Sequence, residues 1–274
     1  MTFPILMHLS VTLIALWSVV ASAESAVAPL ASTGHWTLDY GADACTLSRS
    51  FGDPAKPVTF YVMPFPMGKS VKIAVISPGP STNSQYSMGE VRFGGAPLVA
   101  FFRTVPLGQD RGTLRSMVVD QLPFFQGMTT QPVITIKFLK ARTDLQIGPS
   151  ASAVEALRLC ESDLLAKWGM SVAAQTSVVI SPQGGVSQFF KSSDYPDDAL
   201  RTGRMGVTGV RFWVGLNGKL SDCRVIFSSG TESIDRRSCE VLESRGHLAP
   251  ALDKANQPLR SLSSTQIVWA LPDE

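Results

Sequence analysis

The chain has 274 residues, 45% of them hydrophobic, enough for one large domain or two ordinary ones that each bury a core. Its 24 Lys and Arg residues against 22 Asp and Glu give a formal charge of +2. That balance lacks the concentrated positive charge needed to neutralise nucleic-acid phosphates, so nucleic acid is not an expected partner.

Residues 3–23 contain no Asp, Glu, Lys or Arg and end in Ala21-Ser22-Ala23 before Glu24, the small-x-small pattern of a signal-peptidase site. Residues 1–23 are therefore expected to be a cleaved secretory signal, which puts the mature protein in the periplasm. The alternative is an uncleaved inner-membrane anchor, since the apolar run approaches the roughly 20 residues that span a bilayer. The cleavage pattern and Pro4, which interrupts the start of a spanning helix, favour the signal. Residues 24–34 form a small, polar lead without periodicity, expected to be flexible.

Residues 35–170 read as a mostly β domain. Short β-branched and aromatic runs at residues 58–62, 71–76, 98–102 and 133–139 are broken by Gly and Pro, which predicts a mostly antiparallel sheet. One helix is expected to close this domain: Ser152 and Glu155 have capping-box spacing, and Gly169 supplies a stop. Val154, Leu157, Leu164, Leu165 and Trp168 fall on one arc of that helix, with Cys160 at its edge. Residues 171–193 are expected to be a linker that partly docks through apolar islands at residues 178–180 and at Phe189 and Phe190.

Beyond the linker, Asn217 and Gly218 sit between two alternating runs and suit a two-residue type I′ hairpin turn. Val210, Phe212, Val214 and Leu216 share one strand face and Arg211 and Trp213 the other. On the second strand Ser221, Cys223, Val225 and Phe227 alternate with Asp222, Arg224 and Ile226. A helix from Ser233 to Gly246, with a stripe of Ile234, Val241 and Leu242, covers the apolar face. Trp213 points to the opposite face, as a contact residue or beneath Phe189 and Phe190. A last strand over residues 262–271 completes a small sheet with one edge open.

All four cysteines lie behind the signal, and an even count in an oxidising compartment reads as two disulfides. The shortest spacing, Cys223 to Cys239, has fifteen intervening residues, which is wrong for a Cys₄ zinc site. Cys239 lies in the helix above Cys223 on the apolar strand face, so these two are expected to pair. That leaves Cys45 with Cys160, joining the first domain's beginning to its end.

The last 80 or so residues hold an ordered series: Asp194-Tyr195-Pro196-Asp197-Asp198-Ala199-Leu200, the run at 206–218, Ser228-Ser229-Gly230, Ile234-Asp235, Ala249-Pro250-Ala251 and Trp269. In order and spacing this series resembles the C-terminal domain of TonB-type energy transducers. The resemblance implies an α/β protein-binding module at residues 194–272, in this chain a disulfide-stapled variant. Overall the fold class is α+β: a two-layer C-terminal module, small antiparallel sheet with a covering helix, after a mostly β domain.

The resemblance also implies strand addition. The N-terminal peptide of an outer-membrane receptor, or another envelope protein, would pair with Ser264, Thr265, Gln266, Ile267, Val268 and Trp269, with Tyr195 and Pro196 at the entrance. An inner-membrane motor complex becomes a partner if the chain is anchored. The chain departs from a full transducer in lacking a Pro-rich rod and carrying a large extra domain instead. His8 and Ser10 stand in reverse order from the Ser-then-His pair of a transducer's membrane helix, so that motor contact is not carried over. The alternative function is a periplasmic scaffolding protein that reuses the fold without energy transduction.

No catalytic constellation, metal site or cofactor motif is expected. The chain has no G-x-S-x-G, Walker A, G-x-G-x-x-G or Ser-x-x-Lys arrangement, and His35 and His247 suit surface or capping roles better than general-base chemistry. Arg236 and Arg237 read as solvated charge or as a docking patch for an acidic partner.

Overall fold

The computed structural model describes residues 28–79, 85–108, 111–139 and 141–271. The expected signal at 1–23, with His8 and Ser10, and residues 24–27 of the lead lie outside the described residues.

The chain first builds β1 (Leu30–Ala31), β2 (Thr37–Tyr40), β3 (Cys45–Phe51), β4 (Val58–Pro64), β5 (Ser70–Ser77), β6 (Gln85–Arg92), β7 (Leu98–Pro106) and β8 (Thr113–Asp120). Helix α1 (Gln121–Thr130), β9 (Val133–Phe138), β10 (Ala141–Gln146) and helix α2 (Ala151–Lys167) follow. The strands form one ten-stranded sheet in the order β1-β10-β9-β6-β7-β8-β5-β4-β3-β2. All neighbours are antiparallel except β1 and β10. Alternation sets its inner face: Cys45, Leu47 and Phe51, Phe60 and Val62, Val71 and Ile73, and Ile134 and Ile136 are buried while residues between them are less so. Ser32, just after β1, bridges to Phe51 at the end of β3, so the sheet curls into a half-barrel whose distant strands are clipped together.

Helix α2 packs on this inner face through Ala153, Val154, Leu157 and Leu164. It begins two residues before the expected cap: Ser150, fully buried, is the N-cap, and Ser152 and Glu155 lie within the helix. Its end carries a Schellman motif, with Gly169 at φ 86° and Met170 N–H donating to Leu165 O at 2.9 Å. Helix α1 is additional to the single closing helix expected for this domain. Pro123 occupies the first turn, where its missing N–H has no acceptor to lose, and Gly127 allows Phe93 to approach where a Cβ would stand 2.3 Å from its ring. Cys45 is joined to Cys160, tying β3 to α2.

Helix α3 (Val172–Ser177) opens the connecting segment. Beyond it, Ile180 bridges to Leu252 and Gln183 to Ala249, so this segment docks along the C-terminal part of the chain. The remaining elements are α4 (Asp197–Arg201), β11 (Gly206–Val214), β12 (Leu220–Phe227), α5 (Glu232–Arg245), the short pair β13 (Ala251–Leu252) and β14 (Pro258–Leu259), and β15 (Ser261–Trp269). β12, β11 and β15 form an antiparallel three-stranded sheet in that order. Helix α5 covers one face by burying Ile234, Val241 and Leu242, and Cys223 is bonded to Cys239 between the layers.

Local geometry departs from the sequence expectations in three places. In the hairpin only Gly218 of the pair Asn217-Gly218 has positive φ, and Gly218 N–H donates to Gly215 O while Gly215 N–H donates to Lys219 O. The loop is thus Leu216-Asn217-Gly218, a three-residue loop in place of a two-residue type I′ turn. Bulges shift the β11–β12 register, with Val210 opposite Val225 but Gly209 opposite Phe227. The extra residue, Ile226, turns Phe227 onto the face away from α5, where it meets Phe65. The N-cap of α5 is Thr231, while Ser233 sits in the first turn and its hydroxyl donates to Asp198 Oδ2 at 2.7 Å. Gly246 ends α5 as expected, with φ −69°, and is required by packing, since a Cβ there would stand 2.2 Å from Leu242 O.

Candidate functional site

β15 is the final strand of the small sheet: one side pairs along its length with β11, from Ser261 opposite Val214 to Trp269 opposite Gly206, and among the described residues no strand pairs with the other. Such an edge presents main-chain donors and acceptors to any extended segment. β12 forms the opposite edge.

The side chains of β15 divide between two layers. Ile267 and Trp269 belong to the core beneath α5 with Val210 and Phe212. Trp269 Nε1 donates to Ser238 Oγ, and its ring meets Phe190 and Tyr195 edge to face, with centroids at 5.4 and 5.5 Å. The Tyr195 hydroxyl donates to Arg204 O at 2.6 Å, and Pro196 caps α4. Tyr195 and Trp269 are therefore brought together, as structural neighbours. Ser264 faces the half-barrel, its hydroxyl donating to Pro66 O at 2.6 Å in the β4–β5 turn. Thr265 and Gln266 are half-buried and Val268 is exposed. The edge thus offers a partner its backbone and these last three side chains.

Two cavities border the strand. One, about 450 Å³, lies beside Ser261 to Thr265 and is walled by Gly68 and Lys69 of the β4–β5 turn and by Gln183 and Gly184 of the connecting segment. The other, about 390 Å³, lies under Gln266 and Val268 against β5, β6, β7 and β8.

The entrance of this module is ordered around Asp194. Asp194, 3% exposed, accepts from Lys191 N–H at 2.7 Å and Arg237 Nη2 at 2.6 Å, and also from Arg245 Nη2. Burial alone would raise its pKa, but the Lys191 N–H and the two guanidiniums outweigh that and hold the carboxyl below its usual range. The clamp ties the entrance of the module to α5. The same span, residues 191–271, is matched by the family model described as Gram-negative bacterial TonB protein C-terminal. This segment matches a TonB C-terminal domain. Neither curated proteins nor solved structures give a match to the chain.

The TonB C-terminal family is a protein-interaction domain, associated with the cell envelope. In this TonB domain Arg237 belongs to the Asp194 clamp, and the more exposed Arg236 pairs with Glu240 at 3.5 Å. His247 is exposed at the bridge to Lys219. Among the described residues no cluster of three metal-ligating side chains occurs, and no helix is long and apolar enough to cross a membrane.

Sequence reasoning missed how the TonB domain meets the half-barrel. Trp213 is 4% exposed, covered by Leu165, Met170 and Leu262 and stacked under Arg260 at 3.7 Å. Phe189 and Phe190 pack instead on the α5 side. Arg211 lies over the Trp168 ring at 4.4 Å and pairs with Asp222. Alternating Arg211, Trp213 and Leu262 against the aromatic end of α2 was the available signal, legible only once the two layers are known to touch.

Proposed function

We propose that this protein is an exported envelope protein whose TonB domain captures an extended peptide by strand addition at β15, the peptide coming from the N-terminal segment of an outer-membrane receptor or another envelope protein. The observation that supports this reading is the position of β15, paired on one side only and flanked by two cavities, in a domain of a protein-interaction family. Main-chain pairing supplies affinity, while Thr265, Gln266 and Val268 add selectivity. The half-barrel is a fixed second wall of the site rather than a tethering rod.

Export is part of the proposal: N-terminal sequencing of the mature protein should begin at Glu24, and a start at Met1 in the membrane fraction would favour an anchored transducer coupled to an inner-membrane motor. Titration of the full mature chain with peptides copying receptor N-terminal segments tests capture. Saturable binding is expected. A folded chain that binds none supports the second reading, a periplasmic scaffold, which the packing of the sheet's open face against the half-barrel also favours.

A further inference from the structure

The cavity of about 390 Å³ between the two sheets has a chemistry that peptide pairing at β15 does not use. Its size falls within the roughly 300–1,000 Å³ of small-molecule sites. Phe65, Phe102 and Met117 line it from the half-barrel, and Phe227 and Val268 from the TonB domain. At the rim Phe101 and Val268 are 71% and 64% exposed, an apolar path to solvent.

Among the polar side chains of these walls are Lys72 from β5, Tyr86 from β6 and Arg103 from β7. Lys72 Nζ lies 5.2 Å from the Phe227 ring centroid, and makes no ion pair among the described residues. Burial, with the Arg103 charge adding to it, pushes its pKa down to about 8 against a smaller opposing pull from Asp235. Asp235 is already occupied, accepting from Thr208, Ser228 and the Ser229 N–H. Arg103 spends Nη1 on Ser229 O and lies over the Tyr86 ring at 6.0 Å. The Tyr86 hydroxyl is buried with no hydrogen-bond partner among the described residues. A buried donor without an acceptor is costly, and here it stands beside the Arg103 guanidinium in an apolar chamber that Lys72 also lines.

We propose that this cavity binds a small amphiphile bearing one carboxylate, with the head on Lys72 Nζ and the Tyr86 hydroxyl and the apolar part against Phe102, Met117, Phe227 and Val268. Lys72 and Tyr86 supply a donor for each oxygen of a carboxylate, and Arg103 adds a second positive charge to the same cavity. An uncharged ligand of the same shape would leave Lys72 unpaired.

Calorimetric titration of the full chain with sodium octanoate and with 1-octanol tests this. Octanoate should bind one per chain, and 1-octanol at least about tenfold more weakly. Lys72→Met should weaken octanoate by about tenfold or more and leave 1-octanol unchanged, while Tyr86→Phe should give a smaller loss for octanoate alone. Raising the pH from about 7 to about 9.5, through the neutralisation of Lys72, should weaken octanoate and spare 1-octanol. No octanoate binding by the folded chain, equal affinity for the alcohol, or unchanged octanoate affinity in a folded Lys72→Met or Tyr86→Phe chain overturns the proposal.

Discussion

Trp269 Nε1 donates a 2.9 Å hydrogen bond to Ser238 Oγ, so the last residue of the edge strand is anchored to the middle of helix α5. Ser238 Oγ in turn donates to Ile234 O at 2.9 Å, and both residues are buried. Trp269→Phe should cost about 1–2 kcal/mol from the lost bond and the smaller ring, and Trp269→Ala about 3–5 kcal/mol. Urea denaturation measures both, and a fully stable Trp269→Phe chain would show that the ring is not a core element.

The two disulfides close chain loops of very different length, with sequence separations of 115 and 16. In the chain-entropy picture removal of Cys45–Cys160 should cost about 4–5 kcal/mol and removal of Cys223–Cys239 about 3 kcal/mol. Paired Cys→Ala variants compared by denaturant titration check the order. Non-reducing peptide mapping should recover only these two pairings, and a Cys45–Cys223 peptide would contradict the separation of the two layers.

At Asp194 the sign of the pH effect is fixed by its depressed pKa. Its ordinary value is near 3.8, and the folded value lies lower, so its contribution is complete above the ordinary value and is lost as pH falls through the folded one. Asp194→Asn should destabilise the neutral-pH protein by about 1–3 kcal/mol, since hydrogen bonds to two charged partners weaken together. The gap between wild type and variant should close in acid. A gap independent of pH would assign the effect to packing.

Lys72 runs the other way. Its folded pKa near 8 lies below the ordinary 10.5, so between those values the folded chain holds fewer protons than the unfolded one and stability rises with pH. Lys72→Met should therefore stabilise the protein at neutral pH, by about 1–3 kcal/mol after allowing for partial exposure. The gain should fade as pH rises toward 10.5. Thermal melts across that range read it directly. A Lys72→Met chain no more stable at neutral pH would show that the ammonium is already compensated.

Much of this was legible in the sequence because local signals and tertiary fold agree. Alternation in residues 71–76 and 133–139, the arc of Val154, Leu157 and Leu164, and the stripe of Ile234, Val241 and Leu242 each name a buried face, and both cysteine pairings follow from those faces. Where tertiary packing overrides local chemistry the reading failed. Pro123 and Gly127 sit in a helix because the first turn and the Phe93 contact accept them. Phe227 changes face at a bulge, which alternation cannot register. Trp213 is covered by residues far away in sequence, and the cavity around Lys72 and Tyr86 exists only where two sheets meet.

The central claim, capture at β15, is tested most directly by titrating receptor N-terminal peptides against the full chain carrying Thr265→Pro, Gln266→Pro or Val268→Pro, with folding checked by circular dichroism. Proline removes one backbone donor, so substitutions at residues whose N–H faces outward should abolish or strongly weaken capture in a chain that remains folded. Ile267 is avoided because it is 5% exposed and packs beneath α5. The account predicts peptide binding to the wild-type chain and its loss in at least one folded proline variant. Binding that survives in every folded variant, or a folded wild-type chain that binds no such peptide, would contradict it.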